Sequence, residues 1–580
     1  MKSLPIELLV LSSLLIAACD QSGKSSGSGE NVPLPPGGLA EASRCGDPHR
    51  ILISSARKLP PPPLRDGIGS SSLKITTKSG EAQAYFDNGL NLLHAFWEFE
   101  AYRSFLRATQ LDPDCAMAYW GIVMCMPGSN PEFLIERTHA LERAVALKPG
   151  LSAKEQAYIA ALQVLVSDGT QVFARRMEAI WKSDPTDADA GGMAAYHLKD
   201  GYSMDGKRGS GQEEAVRLIE EVLEKHPNHA GALHYGIHVY ELGPEVERAL
   251  PLCERLLRVA PRAAHLVHMP GHIYFYTGEY ERAIQQFRAA DAVDRAYLEK
   301  EGIEAAENEN FTHNMHYLAL AYAEAGRLRE ALLHAEELKR VKIASARLRS
   351  ESSSVVAYEG RSIAGRLLIR AGQYSRAAEV LSREALDLAP SPVRYFIDGL
   401  TSVARGMDAA AQQKRDEVTI ALGELARFTS LLNDSASRIT ASEEQLYAMR
   451  ATRMLDLFAR VLRAHAASST ATGRIFIQGV PEAESGGARM DPPLLPLSSY
   501  ELVGDYFLTR GDAAAAKEAF QKALKERPRS GYVLLGLARA EKLAGNLDAT
   551  AAAYREVMKA WPQGDSNLPG MSEAQQNAAP

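Results

Sequence analysis

The 580-residue chain has few cysteines and no excess of positive charge. Four of its five cysteines are spread from Cys45 to Cys253, which excludes the dense disulfide framework of a small secreted domain. Its 65 Lys and Arg residues face 72 Asp and Glu residues, for a net charge of -7. A slightly acidic chain lacks the excess of positive charge that is typical of nucleic-acid-binding proteins, and we expect no nucleic-acid partner.

Several structural and catalytic patterns are also lacking. No segment shows the two-residue alternation of a half-buried strand. A phosphate-binding glycine loop, an HExxH motif and a Cys/His dyad are all missing, so we expect no nucleotide cofactor and find no support for a conventional kinase or dehydrogenase. Whether the protein is an enzyme stays open at this stage.

A mostly apolar run lies near the N-terminus. It follows Lys2, extends from Leu8 to Ile16 and is interrupted only by Ser12 and Ser13. That length is too short for a bilayer, which needs about 20 residues. The run ends in Ile16-Ala17-Ala18-Cys19, which resembles the bacterial lipobox. The resemblance implies that residues 1–18 are a lipoprotein signal peptide and that Cys19 is acylated after cleavage.

Acylation of Cys19 would anchor the protein to a membrane, since several acyl chains on one residue hold more firmly than a single chain. We therefore expect a lipid-anchored protein of the bacterial cell envelope, on the periplasmic face of the inner or the outer membrane. The alternative is an ordinary secretory signal with a chance cysteine. Residues 19–80 are rich in Ser, Gly and Pro and are predicted to form a flexible tether.

A repeat of about 34 residues dominates the rest of the chain. Its clearest copy carries Tyr500, Gly504, Phe507, Gly511, Ala516, Phe520, Ala523 and Pro528. This pattern resembles the tetratricopeptide repeat (TPR), in which small residues allow two helices to cross closely. Further copies begin at residues 82, 264, 312, 358 and 531. The resemblance implies an all-α, right-handed superhelical solenoid of helix-turn-helix repeats.

Breaks in the repeat suggest a domain organisation. We predict a main solenoid over residues 81–404, an irregular helical segment over 405–465 and a linker over 466–497. A C-terminal repeat pair would span residues 498–562 and a disordered tail 563–580.

Seven histidines recur at equivalent positions in three consecutive repeats. They are His234, His238, His265, His268, His272, His313 and His316, in blocks that read HxxxHxxE, HMPxHIY and HNxHxL. Over about residues 80–400 the chain is similar to an uncharacterised group of long bacterial TPR proteins with such blocks. In this family the first helix of each repeat lines a concave groove, which implies that all seven imidazoles face the groove.

Clustered imidazoles are typical of transition-metal sites. We predict that the seven histidines and Glu241 bind Zn, Cu, Fe or Ni, with Glu241 as a ligand or, in a metal-dependent enzyme, as a base. Two alternatives stay open, namely a metal-free groove for partner proteins or peptides and general acid–base chemistry without a metal. Groove contacts would come from Tyr235, Tyr274, Tyr317, Glu359 and Arg366. More isolated histidines are predicted to be loop residues: His94, His139, His226, His229, His334 and His465.

Overall fold

The computed structural model describes residue 56 and residues 59–126, 134–202, 206–305, 308–343, 351–439, 442–484 and 493–578. The chain divides into two compact units, residues 1–269 and 270–580, with the boundary inside one helix. Cys19 and the predicted signal peptide lie outside the described residues.

The first unit is built from successive helices that pack as antiparallel neighbours. In chain order they are α1 (Gly80–His94), α2 (Glu98–Leu111), α3 (Ala116–Met124), α4 (Leu134–Leu147), α5 (Ala153–Ser167), α6 (Thr170–Ser183), α7 (Ala188–Leu198), α8 (Ser210–Lys225), α9 (Ala230–Tyr240) and α10 (Leu250–Val259). Helix α11 (Ala264–Tyr276) begins in this unit and contains the boundary.

The second unit continues the same arrangement. Its helices are α12 (Tyr280–Glu301), α13 (Glu309–Glu324), α14 (Leu328–Lys339), α15 (Glu351–Ser354), α16 (Arg361–Arg370), α17 (Tyr374–Leu386), α18 (Pro392–Ala411), α19 (Arg415–Ala436), α20 (Ser442–Ala466), α21 (Thr470–Glu484), α22 (Ser499–Thr509), α23 (Ala513–Glu526), α24 (Gly531–Leu543), α25 (Leu547–Ala560) and α26 (Pro569–Asn577). A π-helical turn, Val355–Gly360, joins α15 to α16.

Close helix crossings at small residues explain the repeat pattern. A Cβ atom added at Gly504 would lie 2.6 Å from the ring of Phe520, and one added at Gly271 would lie 2.4 Å from the ring of Phe287. The aromatic ring of the second helix therefore occupies the space that the glycine of the first helix leaves. The predicted all-α helical-repeat fold is confirmed, and within the described ranges the only strand-like pairing is an isolated bridge between Tyr202 and Arg208.

Two long-range contacts add to the packing of sequence neighbours. In the first unit, α1 packs against α9, where the Nδ1 atom of His94 lies 2.9 Å from the hydroxyl of Tyr235. In the second unit, the C-terminal repeats pack against α13, because the indole of Trp561 donates a hydrogen bond to the carbonyl of Glu324 at 2.9 Å. Each unit thus brings together repeats that are far apart in the chain.

Three segments are more ordered than the composition suggests. The end of the predicted tether packs against the first unit, with Ile68 buried and the Ser71 amide donating to Asn91 Oδ1 at 2.9 Å. The predicted linker contains α21, and the predicted disordered tail contains α26, whose Met571 is buried. Scattered apolar residues find partners on distant helices, and local composition does not report such contacts.

Cysteines and hydropathy give two further results. Cys253 is buried in the core, and Cys115 and Cys125 are free thiols at opposite ends of α3. Among the helices that the structure describes, none combines the length and apolar character needed to cross a bilayer.

The crossing at Gly504 gives a direct test of the repeat packing. We expect Gly504→Ala to destabilise the protein by about 1–3 kcal/mol, because the new methyl group would overlap the ring of Phe520. Gly423→Ala is the matched control, since Gly423 lies exposed on α19 with no atom near its added Cβ. That control should gain about 0.5–1 kcal/mol from helix propensity alone. Urea denaturation measures both, and equal effects of the two substitutions would contradict the packing.

Candidate functional site

Three of the seven predicted histidines converge in the first unit. His234 and His238 lie one turn apart on α9, and His265 lies on the first turn of α11. The Nε2 atom of His234 is 3.0 Å from the Nε2 atom of His238 and 3.1 Å from that of His265. A metal ion about 2.0–2.1 Å from each nitrogen separates its ligand atoms by about 3.0–3.4 Å. The two distances to His234 match this separation, and one ring nitrogen of each of the three histidines lies within 4.8 Å of the others.

The opposite ring nitrogens of α9 are held by groups that only accept hydrogen bonds. His234 Nδ1 is 2.6 Å from the backbone carbonyl of His94, and His238 Nδ1 is 2.9 Å from Glu241 Oε2. With Glu241 ionised, both Nδ1 atoms carry the proton, so in the neutral rings both Nε2 lone pairs point into the cluster. Glu241 thus contacts a histidine, as an outer partner of a metal site does, rather than the point where the Nε2 atoms meet.

Burial keeps the innermost imidazole neutral. His234 is fully buried, and burial together with the neighbouring His238 and His265 lowers its pKa well below the ordinary value. A neutral imidazole is the form that binds metals. The cluster formed by His234, His238 and His265 is called the histidine triad below.

The other predicted ligands lie outside the triad. The ring of His268 stacks 6.0 Å from that of His265 in the first unit. In the second unit, the rings of His272 and His313 are 5.5 Å apart, and His272 stacks on Tyr317 at 4.2 Å. His316 Nε2 lies 3.6 Å from Glu359 Oε2, and burial is the main reason its pKa falls to about 3.

The predicted groove residues are buried side chains. Tyr235, Tyr274 and Tyr317 are each less than 5% exposed. Arg366 forms an ion pair with Glu359, which belongs to the π-helical turn, and donates to the carbonyl of Leu494 at 3.4 Å. Leu494 therefore lies next to Arg366. A partner would have to displace protein atoms to reach these residues.

Sequence reasoning missed a second polar cluster in the first unit. His94 was expected in a loop, but it ends α1 as a buried residue, with its Nε2 atom 2.6 Å from Asp189 Oδ1. His229 Nε2 lies 3.1 Å from the same oxygen, and its Nδ1 atom accepts a hydrogen bond from the Ala232 amide as the N-cap of α9.

The ring nitrogens of this cluster are already engaged within the protein. Burial acts to raise the pKa of Asp189, but hydrogen bonds from His229 and His94 hold it well below the usual range. A charged Asp189 between two histidines fits a structural network that fixes the end of α1. No signal in the sequence pairs these residues, which come from three separate repeats.

The comparisons with known proteins concern the helical repeat and give no information about the histidine triad. A family model for the tetratricopeptide repeat matches residues 504–565. No curated protein matches the sequence.

Among solved structures, a tetratricopeptide repeat protein from Parabacteroides merdae is similar with 15% identity and a TM-score of 0.31, covering 51% of this chain and 98% of that one. Yeast Tom70 is similar with 11% identity and a TM-score of 0.28, covering 86% of this chain and 95% of that one. Structures this dissimilar give no information about the function of this chain. The family match confirms the predicted repeat directly, and the chain thus contains tetratricopeptide repeats at residues 504–565.

Proposed function

We propose that the first unit binds one divalent transition-metal ion through His234, His238 and His265. The supporting observation is the 3.0 Å approach of two Nε2 atoms whose rings both donate from Nδ1. Two facing lone pairs repel each other unless a cation lies at the point where they meet. That cation is either a metal ion or a proton shared between the two rings, and the third imidazole at 3.1 Å favours the metal.

The donor set indicates the class of metal. Three imidazoles without a thiolate suit Zn, Cu, Ni or Fe(II). Three protein ligands leave a coordination position open, as in catalytic rather than structural zinc sites. A metal bound here would supply a Lewis acid at the open position. The protein's own contribution is to hold the ring of His234 through the His94 carbonyl and that of His238 through Glu241.

Removal of single triad histidines tests the metal site. We expect the purified, tag-free protein to carry near-stoichiometric Zn, Cu, Ni or Fe by plasma mass spectrometry. His234→Ala, His238→Ala and His265→Ala should each lose it, because two imidazoles hold a metal far less tightly than three. His334→Ala is the matched control, since His334 belongs to the second unit and stacks on Tyr322. A wild-type protein that binds no metal even when metal is added would contradict the proposal.

Glu241 should tune the site without being a ligand. We expect Glu241→Gln to weaken metal affinity about 10–100-fold, because the neutral amide orients His238 less firmly and lowers its basicity. Isothermal titration with Zn²⁺ measures the affinity, and far-ultraviolet circular dichroism controls for folding. Complete loss of binding, equal to that of His238→Ala, would instead make Glu241 a direct ligand.

Protein binding is the function that the repeats support in general terms. Tetratricopeptide repeats are scaffolds suited to protein interactions, and the direct match covers residues 504–565. We propose that partner proteins or peptides are bound by this part of the chain.

We further propose that the protein is tethered to the bacterial envelope through Cys19, on the strength of the lipobox-like Ile16-Ala17-Ala18-Cys19. Expressed in a bacterium, the wild type should label with an azido-palmitate analogue and sediment with membranes. Cys19→Ser should lose both properties, because the serine hydroxyl cannot form the thioether of the lipid anchor. Cys45→Ser is the control and should behave as the wild type. Unlabelled wild-type protein in the soluble fraction would contradict the anchor.

A further inference from the structure

Phe96 has a backbone conformation that is unfavourable for its type. Its φ of 50° is in the left-handed region, which only three described non-glycine residues occupy. The residue follows the C-terminus of α1, where the Trp97 amide donates to the Leu92 carbonyl and the Phe96 amide to the Leu93 carbonyl. These two hydrogen bonds form a Schellman motif, which places its left-handed residue just past the helix and favours glycine there.

Equivalent helix ends in the second unit follow that preference. The same long hydrogen bond closes five other first helices, and the left-handed residue is glycine in each: Gly278, Gly326, Gly372, Gly511 and Gly545. Among the described residues, Gln413 is the other exception with this hydrogen bond. Phenylalanine at position 96 thus replaces the residue that the local geometry favours, and its side chain must account for the substitution.

The ring of Phe96 lies against all three histidines of the triad. Its centroid is 4.5 Å from that of His234 and 5.5 Å from those of His238 and His265. The rings of Phe96 and His238 are stacked, with an interplanar angle of 25°. Tyr196 lies on Phe96 at 5.3 Å.

We propose that Phe96 is the aromatic cover of the metal site and sets how fast the metal exchanges with solvent. The inference rests on the proposed metal binding and adds a residue that is not a ligand. A ring packed on three imidazoles keeps water and chelators from the side of the site that it covers, and it restricts the imidazoles to orientations that point toward a common centre. The strained backbone is the cost of placing the ring there.

Two substitutions separate the ring from the backbone strain. Phe96→Ala removes the ring and keeps a Cβ in the left-handed region, whereas Phe96→Gly removes both. The full-length protein is loaded with Zn²⁺, and its release to an excess of a chromophoric chelator is followed by stopped flow. We expect both variants to release Zn²⁺ at least about tenfold faster than the wild type, the equivalent of about 1.4 kcal/mol. Phe96→Leu should recover part of the difference.

Thermal melting of the metal-free proteins reports the strain independently. Phe96→Gly should melt about 2–4 °C above Phe96→Ala, because only glycine accepts the left-handed conformation without a penalty. Gln413→Gly is the matched control, since it relieves the same motif far along the chain. It should raise the melting temperature without changing the release of Zn²⁺.

The outcomes distinguish the cover from the site. If the wild type binds Zn²⁺ and all variants release it at the wild-type rate, Phe96 has only a packing role and the cover is wrong, while the metal site stands. If the wild type takes up no Zn²⁺, the proposed function fails and the cover fails with it. If only Phe96→Gly releases Zn²⁺ faster than the wild type, the backbone conformation and not the ring controls release. That result would also contradict the proposal that Phe96 covers the site.

Discussion

The hydrogen bond from His234 Nδ1 to the backbone carbonyl of His94 is the contact on which the candidate site depends. A carbonyl can only accept, so this bond fixes the tautomer of the innermost imidazole and turns its Nε2 lone pair toward His238 and His265. It also ties α9 to the end of α1, and this brings Phe96 over the triad. One main-chain oxygen therefore fixes the direction of the His234 Nε2 lone pair and also holds α9 next to the end of α1, where Phe96 lies.

The fold could be predicted because its determinants are local and repeat along the chain. Gly504, Phe520 and their counterparts recur at intervals set by one helical hairpin, and the spacing alone implies close crossings. The same regularity placed His234, His238 and His265 on first helices. It did not separate them from His268, His272, His313 and His316, because side chains at equivalent repeat positions have different neighbours on the surrounding helices.

The remainder of the site depends on contacts that no local pattern encodes. His94 and Phe96 come from a repeat more than one hundred residues before α9 and meet it through the packing of α1 on α9, whereas Asp189 lies on α7, which packs directly against α9. Phe96 carried one signal that could have been used, namely a phenylalanine where five other helix ends have glycine. Glu359 and Arg366 were predicted as groove contacts, but both are buried, and Arg366 donates to the carbonyl of Leu494 in a stretch whose composition resembled a linker.

The contact between Trp561 and the Glu324 carbonyl has a consequence for how the second unit folds. In an ordinary repeat array each hairpin depends only on its neighbours, so folding can begin anywhere and proceed one repeat at a time. Here a repeat near the middle of the chain is completed by a tryptophan made more than two hundred residues later. During synthesis, the surface around Gly326 that this indole covers stays open until residue 561 has left the ribosome. Loop closure over that distance makes the unit slower to fold and more cooperative than its local helical hairpins alone would be.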